Sequence, residues 1–185
     1  MEDSTIIQLY WDRDEKAIGE TDRKYGSYCF AIANNILSSR EDSDECVNDT
    51  WLRAWNVIPP KKPEKFRAFL GKITRNLSFD KYKKANAAKR SSEMQLVLDE
   101  LTECVSGRNT TDEELNYKML GECINSFLKS LSKRERGIFL SRYFYAETVN
   151  KIAEKYGISS NNASAILSRT RTKLRKYLVE EGYEL

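Results

Sequence analysis

The feature that most constrains this chain is a pair of helical patterns separated by a single glycine near its end. A short pattern follows Thr148, Gly157 interrupts it, and a longer basic pattern follows Ser159. Thr148 and Ser159 are residue types that cap helix starts, and glycine ends helices because it adopts left-handed backbone angles readily. The apolar residues recur at helical spacing: Val149, Ile152, Ala153 and Tyr156 in the first pattern, and Ala163, Ile166, Leu167 and Leu174 in the second. This order predicts a helix-turn-helix whose second helix enters the DNA major groove.

The second predicted helix also carries side chains suited to DNA. Short polar groups near its start are able to bond base edges or phosphates, and the basic groups further on suit the backbone or a guanine. These residues are Ser160, Asn161, Asn162, Ser164, Arg169, Arg171 and Lys173. Similar patterns occur in helical proteins that bind no DNA. The stretch 166–176 holds five bases and no acid, however, and that charge favours DNA binding.

Charge is segregated along the chain, although the net charge is only +3. Residues 61–90 carry eleven Lys or Arg against two acids, whereas 41–50 hold five acids and no base. A second acidic block, 91–117, has seven acids against one base. Such a molecule is suited to meet DNA at two places and a basic surface elsewhere. A basic helix is also often no more than a solvated surface, so charge alone leaves both uses open for 61–90.

Helical periodicity predicts three helices in the first half of the chain. The first spans Ile18 to Leu37, and the second begins near Ser43 and stops at Pro59 and Pro60, because proline lacks the amide that a helix interior needs. The third runs from about Glu64 to Lys84. Its predicted apolar stripe is Phe66, Leu70, Ile73 and Leu77, with a basic, partly aromatic remainder that includes Arg67, Lys72, Arg75, Asn76, Phe79, Tyr82 and Lys83. Its rings either stack on unpaired bases or fill a core, and spacing does not choose between these uses.

The chain as a whole is predicted to be all-α, with two small helical domains joined by a flexible linker. The domains are 1–88 and 113–185, the second containing the helix-turn-helix, and the acidic segment 89–112 is the linker, with one short helix around 94–101. A helix over 113–130 and a capping box from Ser132 to Glu135 open the second domain.

Several kinds of chemistry are absent from the sequence. There is no histidine, no Gly-rich phosphate loop and no paired cysteine spacing, so we expect no metal site, no cofactor and no catalytic centre. The four cysteines, Cys29, Cys46, Cys104 and Cys123, are expected to be buried reduced thiols, as in a cytoplasmic protein. The acidic N-terminus does not resemble a signal peptide, and no apolar run approaches the roughly 18 residues of a membrane span.

Three segments of the chain resemble the extracytoplasmic-function (ECF) group of bacterial sigma factors, within the sigma-70 superfamily. The stretch YGSYCFAIANNILSSREDSDECVNDTWLRAW is similar to the family's segment that docks on the largest polymerase subunit. FRAFLGKITRNLSFDKYKK is similar to its promoter-melting and −10 recognition helix. The stretch from FLKSLSKRER to RTRTKLRKYL, with its IAEKYGIS turn, is similar to its −35 recognition domain.

The resemblance implies a role for particular residues. Polymerase binding falls to Asp44, Asp49, Leu52 and Trp55, of which Trp55 is equally suited to a core. Contact with the −10 element falls to Asn76, Phe79, Lys83 and the loop residues Lys61 and Lys62, alongside the basic positions Lys72 and Arg75. Contact with the −35 element falls to Asn161, Asn162, Ser164, Ala165, Ser168 and Arg169. The implied partners are core RNA polymerase and promoter DNA, and whether an anti-sigma protein also binds is left open.

Two other functions compete with a sigma factor. A helix-turn-helix repressor or activator with a sensor or dimerisation domain would bind its operator without polymerase, but such a domain does not require the basic block at 61–90. A nucleic-acid-processing enzyme would require a general base or metal cluster, which the sequence does not offer. We therefore expect a non-enzymatic sigma factor.

Overall fold

The computed structural model describes residues 1–86, 97, 100 and 113–183, of which 86 and 113–119 are described in their backbone alone. These ranges contain eight helices and no strand, which confirms the predicted all-α class. The chain divides into two compact units, Met1–Arg90 and Ser91–Leu185. Within the described ranges, no helix is both long and apolar enough to cross a membrane.

The first unit consists of four helices: α1 (Asp3–Trp11), α2 (Lys16–Leu37), α3 (Arg40–Val57) and α4 (Phe66–Asn86). Helices α2, α3 and α4 pack against one another, and α1 packs on α2. Phe66 lies at the centre of an aromatic cluster, with the rings of Tyr10 and Tyr25 meeting it edge-on at 6.0 and 5.8 Å. Edge-to-face pairs of this kind add to the stability gained from burial alone.

Helix α1 was not predicted from the sequence, yet it is part of the core. Ile6 and Tyr10 are fully buried, and the Tyr10 hydroxyl shares a hydrogen bond of 3.0 Å with Thr21 on α2.

Helix α3 begins earlier than predicted, at Arg40 rather than near Ser43. The reason is its cap: the Ser39 side chain accepts a hydrogen bond from the Asp42 amide, and Ser43 is buried within the helix.

A column of small polar side chains, Cys46, Thr50, Thr74 and Ser78, joins α3 to α4. The hydroxyl oxygens of Thr50 and Thr74 are 3.1 Å apart, and Cys46 Sγ is 3.2 Å from Ser78 Oγ. The three hydroxyl-bearing residues of this polar column are completely buried. The predicted apolar stripe of α4 is therefore wrong in its second half, where Thr74 and Ser78 occupy the buried side and Ile73 and Leu77 are only partly buried.

The second unit contains α5 (Glu113–Ser130), α6 (Lys133–Tyr143), α7 (Val149–Tyr156) and α8 (Ser160–Glu180). Helix α8 packs against the other three, with Leu167, Leu174 and Leu178 buried among them. The predicted bounds of α5 agree with the structure. The predicted capping box is also confirmed, since the side chains of Ser132 and Glu135 each accept a hydrogen bond from the backbone amide of the other.

Two residues of the predicted linker belong to the second unit. Val97 is fully buried, and Glu100 contacts side chains of α6 and α8; the backbone is helical at both positions. The remainder of 89–112, including most of the predicted short helix at 94–101, lies outside the described residues. At these two positions the segment is thus part of a folded unit rather than a spacer.

The cysteines that the structure describes carry free thiols. Cys29 and Cys46 are buried as predicted, whereas Cys123 is only partly buried; Cys104 lies outside the described residues. Burial raises the pKa of the Cys29 thiol to about 11, because removal from water disfavours the thiolate. Cys29 is therefore a neutral, apolar part of the core at physiological pH.

Candidate nucleic-acid interface

The turn between α7 and α8 is built by three short-range signals. The Thr148 side chain accepts a hydrogen bond from the Lys151 amide, and the Ser159 side chain accepts one from the Asn162 amide. Between these caps, Gly157 has a left-handed backbone with φ of 61°. Residues with a Cβ adopt this conformation only at a cost, so glycine suits the position. The predicted caps and the predicted break at Gly157 are all confirmed.

Helix α8 separates its core side from its solvent side. Ala163, Leu167 and Leu174 are buried, with Thr170 and Leu178 on the same side. The opposite side is exposed and contains six of the residues that the sequence assigns to DNA: Asn161, Asn162, Ser164, Ala165, Ser168 and Arg169. We call these six residues the α8 face. Because no member of the α8 face is needed for packing, its side chains are available to a ligand.

The other three residues predicted on this helix already have partners within the unit. Ser160 Oγ donates a hydrogen bond of 2.7 Å to Asn150 on α7. Lys173 donates one of 2.7 Å to Glu135, and this bond, together with that from the Ser132 hydroxyl, lowers the pKa of the Glu135 carboxyl to about 2. Arg171 donates to the Tyr143 hydroxyl at 2.8 Å and lies 3.3 Å from Glu100. These three residues flank the α8 face and bind neighbouring elements.

Helix α4 combines core and solvent positions on its basic side. Lys72, Asn76 and Lys83 are exposed, as are Lys61 and Lys62 in the preceding loop. Phe79 is only 7% exposed, and the Arg75 guanidinium lies over its ring at 4.4 Å from the centroid. Tyr82 is buried to the same extent. Of the two uses that the sequence left open for these rings, the structure shows core packing, so a base would reach Phe79 only after Arg75 moves.

The residues assigned to polymerase binding lie on α3. Asp44, Asp49 and Leu52 are exposed, and the large apolar side chain of Leu52 is 58% exposed. Trp55 is half-buried. Its ring packs on Tyr10 at 6.0 Å, and Arg13 both stacks on the ring and donates to the Trp55 carbonyl at 2.6 Å. Trp55 therefore serves the packing of the first unit.

Sequence patterns missed two groups of polar contacts. Lys81 on α4 pairs with Asp42 at 2.8 Å and with Glu45 at 2.5 Å, so part of the acidic block is neutralised by the basic block within the same unit. Both carboxylates raise the pKa of the Lys81 ammonium. In the second unit, Arg142 is buried and contacts Glu100, 42 positions away. No short-range signal marks either group, because the partners are distant in sequence.

Comparison with known proteins shows which family has these features. The family model described as "Sigma-70 region 2" matches residues 22–88, which include α3 and α4. The model described as "Sigma-70, region 4" matches residues 127–176, which include the helix-turn-helix. Together the two matches cover more than half of the chain, and the chain belongs to the sigma-70 family.

A sigma factor of the ECF group is among the proteins to which the chain is similar. The relative named "ECF RNA polymerase sigma factor SigE", from Mycolicibacterium smegmatis, is 20% identical over 163 residues, which are 88% of this chain. The chain spans 62% of the length of that relative. A solved structure described as CnrH in complex with the cytosolic domain of CnrY is similar with a TM-score of 0.44 and 19% identity, covering 97% of this chain and 98% of that one.

Proposed function

We propose that this protein is a sigma factor that binds core RNA polymerase and directs it to promoters by contacting a −10 and a −35 element. The observation that carries the proposal is the α8 face, a set of exposed polar and basic side chains on the second helix of a helix-turn-helix. This helix is the one that such motifs insert into the major groove. The two sigma-70 region matches support the same function.

The α8 face is suited to the −35 element. Asn161 and Asn162 offer amides that bond adenine bidentately, and Arg169 suits a guanine or a phosphate. Arg169 Nε donates to the Ala165 carbonyl at 3.2 Å, one turn earlier, which holds the base of its side chain along the helix. Ser164, Ala165 and Ser168 are small, so they allow close approach of the helix to the groove floor.

Helix α4 and its preceding loop are suited to the −10 element. Lys61, Lys62, Lys72 and Lys83 supply exposed positive charge for phosphates, and Asn76 supplies a hydrogen-bonding amide between them. Arg75 and Phe79 form a stacked pair at the same surface. A flipped base would take the place of the guanidinium on the ring, exchanging one stacking partner for another.

The polymerase contact is proposed on the exposed side of α3, with Asp44, Asp49, Leu52 and the exposed part of Trp55. An exposed apolar side chain with acidic side chains on the same helix fits a basic partner surface with an apolar centre. The chemistry of initiation belongs to the polymerase, and the protein itself acts as a non-enzymatic specificity subunit in the cytoplasm.

A first experiment tests the function as a whole. The purified chain is incubated with bacterial core RNA polymerase at moderate salt, and the mixture transcribes a pool of genomic fragments. Co-purification and new discrete start sites are expected. Tight binding to an operator by the protein alone, without polymerase association, would favour the rival repressor function instead.

Point variants test the assigned surfaces. Asn76→Ala and Arg169→Ala are expected to reduce initiation from the discovered promoters by between about fivefold and about 150-fold while leaving polymerase binding intact, since each removes a contact worth about 1–3 kcal/mol. Arg23→Ala removes the same charge from α2, at a side chain that is 76% exposed and has no assigned contact with DNA or polymerase, and serves as the matched control. Loss of initiation in that control, or loss of polymerase binding in the Ala variants, would refute the assignment.

The proposed polymerase-binding surface is tested by a separate pair of variants, one on the surface and one control. Leu52→Glu is expected to weaken core binding about tenfold or more, because it places a charge at the centre of the proposed contact. Val179→Glu makes the same change at a side chain that is 56% exposed in the second unit, and it is expected to leave core binding unchanged. Equal effects of the two variants would remove the special role of Leu52.

A further inference from the structure

One side-chain hydrogen bond joins the first turn of α7 to the first turn of α8. Ser160, the first residue of α8, donates from Oγ to Oδ1 of Asn150, the second residue of α7, at 2.7 Å. The two residues lie on either side of the Gly157 turn. The bond therefore fixes where the Asn150 amide stands relative to the side chains that follow Ser160 on α8.

This hydrogen bond uses only half of the Asn150 amide. An asparagine side chain has an acceptor oxygen and an NH2 group with two donors. Oδ1 accepts from Ser160, and within the described part of the chain no group accepts from Nδ2. Asn150 is exposed. Its NH2 group is thus held in place by the bond on the oxygen, with both donors left to solvent.

The charges near Asn150 permit an anion to approach it. The first turns of α7 and α8 are fully described, and neither holds an acidic residue. The nearest acids along the chain are Glu147, which pairs with Lys155 at 3.0 Å, and Glu154, about 6 Å further along the α7 axis. Lys151, the next residue, adds a positive charge at an exposed position. A phosphate is therefore a suitable acceptor for the NH2 group.

The position of Asn150 also matches the path of a DNA backbone. In a helix-turn-helix, the first residues of the second helix point toward base edges in the major groove, and the first helix crosses the sugar–phosphate backbone. Asn161 and Asn162 directly follow Ser160 and belong to the α8 face. An amide bonded to Ser160 therefore lies at the rim of the groove that these two residues would enter.

We propose that Asn150 binds a backbone phosphate at the edge of the −35 element through Nδ2, and that Ser160 is the positioning residue that holds its amide. The inference rests on the proposed function, because it requires DNA on the α8 face. Contacts to phosphate fix the register of a protein on the duplex and carry no sequence information. Asn150 then sets how α8 sits in the groove, and the α8 face reads the bases.

The test measures binding of the full chain to two fluorescein-labelled duplexes of unrelated sequence, each about 30 base pairs long, at about 50 and 200 mM salt. Asn150→Asp keeps an oxygen acceptor for Ser160 but replaces the NH2 group by a charged oxygen, and an acid in a first turn suits the helix. Affinity for both duplexes is expected to fall about tenfold at the lower salt and less at the higher, because salt screens the repulsion. If Asn150 only braces the turn, this variant leaves duplex affinity unchanged.

Asn150→Lys tests the same contact in the opposite direction. It is expected to tighten binding about fivefold at the lower salt and to steepen the slope of log affinity against log salt by about 0.9, as for one added phosphate contact. Asn125 supplies the matched control, because it is exposed on α5 two positions before Phe127, whose ring packs on Tyr177 at 5.6 Å. Tyr177 lies about 25 Å from Ser160 along α8. Asn125→Asp and Asn125→Lys are therefore expected to change affinity by less than about twofold.

A double-mutant cycle tests the positioning role of Ser160. Ser160→Ala leaves the Asn150 amide present but no longer held, and it is expected to weaken duplex binding about two- to threefold. In the Asn150→Ala background, where affinity is expected to be about fivefold below wild type, the same substitution is expected to have no further effect. Additive losses would make Ser160 a separate DNA contact and overturn its positioning role.

Arg169→Ala distinguishes failure of this inference from failure of the proposed function. If Arg169→Ala weakens duplex binding while both Asn150 variants match their Asn125 controls, the inference is overturned and the proposed function stands. If Arg169→Ala also has no effect, the duplex does not lie on the α8 face, and the proposed −35 contact fails as well. Opposite shifts from the two Asn150 variants, with thermal unfolding unchanged, support the phosphate contact.

Discussion

Helices α4 and α8 both carry polar and basic side chains assigned to DNA, but they differ in how the residues that pack in the core are arranged relative to those assigned to DNA. On α8, the core residues and the α8 face lie on opposite sides of the helix. On α4, Asn76 is exposed while Phe79, three positions later, is 7% exposed and covered by Arg75. A contact surface that is separate from the core can change without cost to stability, whereas one that shares residues with the core cannot.

This difference fits the two proposed tasks. Insertion of a helix into the major groove leaves the duplex intact, so the α8 face needs only exposed side chains. Capture of an unstacked base requires an aromatic surface, and a ring held in the domain supplies it at low conformational cost. The comparison therefore predicts unequal losses of unfolding free energy, largest on α4 and smallest on α8.

The largest effect is expected for Phe79→Ala. Removal of a buried ring leaves a cavity and is expected to lower the unfolding free energy of the first unit by about 3–5 kcal/mol. Asn76→Ala, three positions away on the same helix, is expected to change it by less than about 0.5 kcal/mol. Denaturant unfolding of both variants measures the difference. If Phe79→Ala proves as mild as Asn76→Ala, the ring is not part of the core and the contrast with α8 fails.

A smaller loss of unfolding free energy is expected for a substitution at Gly71, where α4 packs against α2. A Cβ at Gly71 would collide with the Tyr28 hydroxyl, and that ring is held between Tyr25 and the Arg67 guanidinium, 4.5 Å from its centroid. Gly71→Ala is expected to cost about 1–2 kcal/mol, net of the gain in helix propensity. Adding Tyr28→Phe removes the clashing oxygen and is expected to restore most of the loss in thermal unfolding. A double variant no more stable than Gly71→Ala would place the strain elsewhere.

The next largest loss of unfolding free energy is expected at the charged cap of α6, where Glu135 also pairs with Lys173 of α8. Glu135 has a folded pKa of about 2 against an ordinary value of 4.5, chiefly because Lys173 and then Ser132 bond its carboxylate. A lowered pKa adds stability that is present above the ordinary value and is lost as pH falls from about 4.5 toward about 2. Glu135→Gln is expected to cost about 1 kcal/mol at pH 7, discounted for solvent exposure, and almost nothing near pH 2.

The measurement for this cap is the free energy of unfolding of the second unit, compared between wild type and Glu135→Gln from pH 7 to pH 2. Glu154→Gln, an exposed position on α7, serves as the control. A difference between wild type and Glu135→Gln that stays constant over this range would show that the carboxylate charge does not contribute.

The smallest effect on stability is expected on the α8 face. Asn161→Ala is expected to change the unfolding free energy by less than about 0.5 kcal/mol, because the side chain is exposed and makes no packing contact. Initiation from −35-dependent promoters is nevertheless expected to fall about tenfold. A thermal shift well beyond that of a surface substitution would show that α8, like α4, mixes its core with its contacts.

The parts of the fold that the sequence predicted are those encoded by neighbouring residues. The caps at Thr148, Ser159 and Ser132 and the break at Gly157 each depend on groups within a few positions of one another. They were placed correctly for that reason. Within the α8 face, Asn161, Asn162, Ser164 and Arg169 were assigned from their residue types on the predicted helix, whereas Ala165 and Ser168 were assigned only through the family resemblance.

The parts that were missed depend on partners distant in sequence. Helix α1 is nine residues long, too short for a clear period, and its Tyr10 is fixed by Thr21 and Phe66. The burial of Phe79 and of the polar column is decided by how closely α3 and α4 approach. The ion pair of Arg142 with Glu100 spans 42 positions, and no pattern in either segment points to the other.

The polar column between α3 and α4 has a mechanical consequence. Apolar surfaces slide over one another at little cost, whereas hydrogen bonds are directional and break when their partners shift by an ångström or so. Buried bonds from Thr50 to Thr74 and from Cys46 to Ser78 therefore pin two points along the helix pair, so that neither translation nor rotation of one helix on the other is free. Under the proposed function, α3 binds the polymerase and α4 contacts the promoter. Because these bonds hold α3 and α4 in one relative position, they would fix the distance between the polymerase surface and the melted DNA strand.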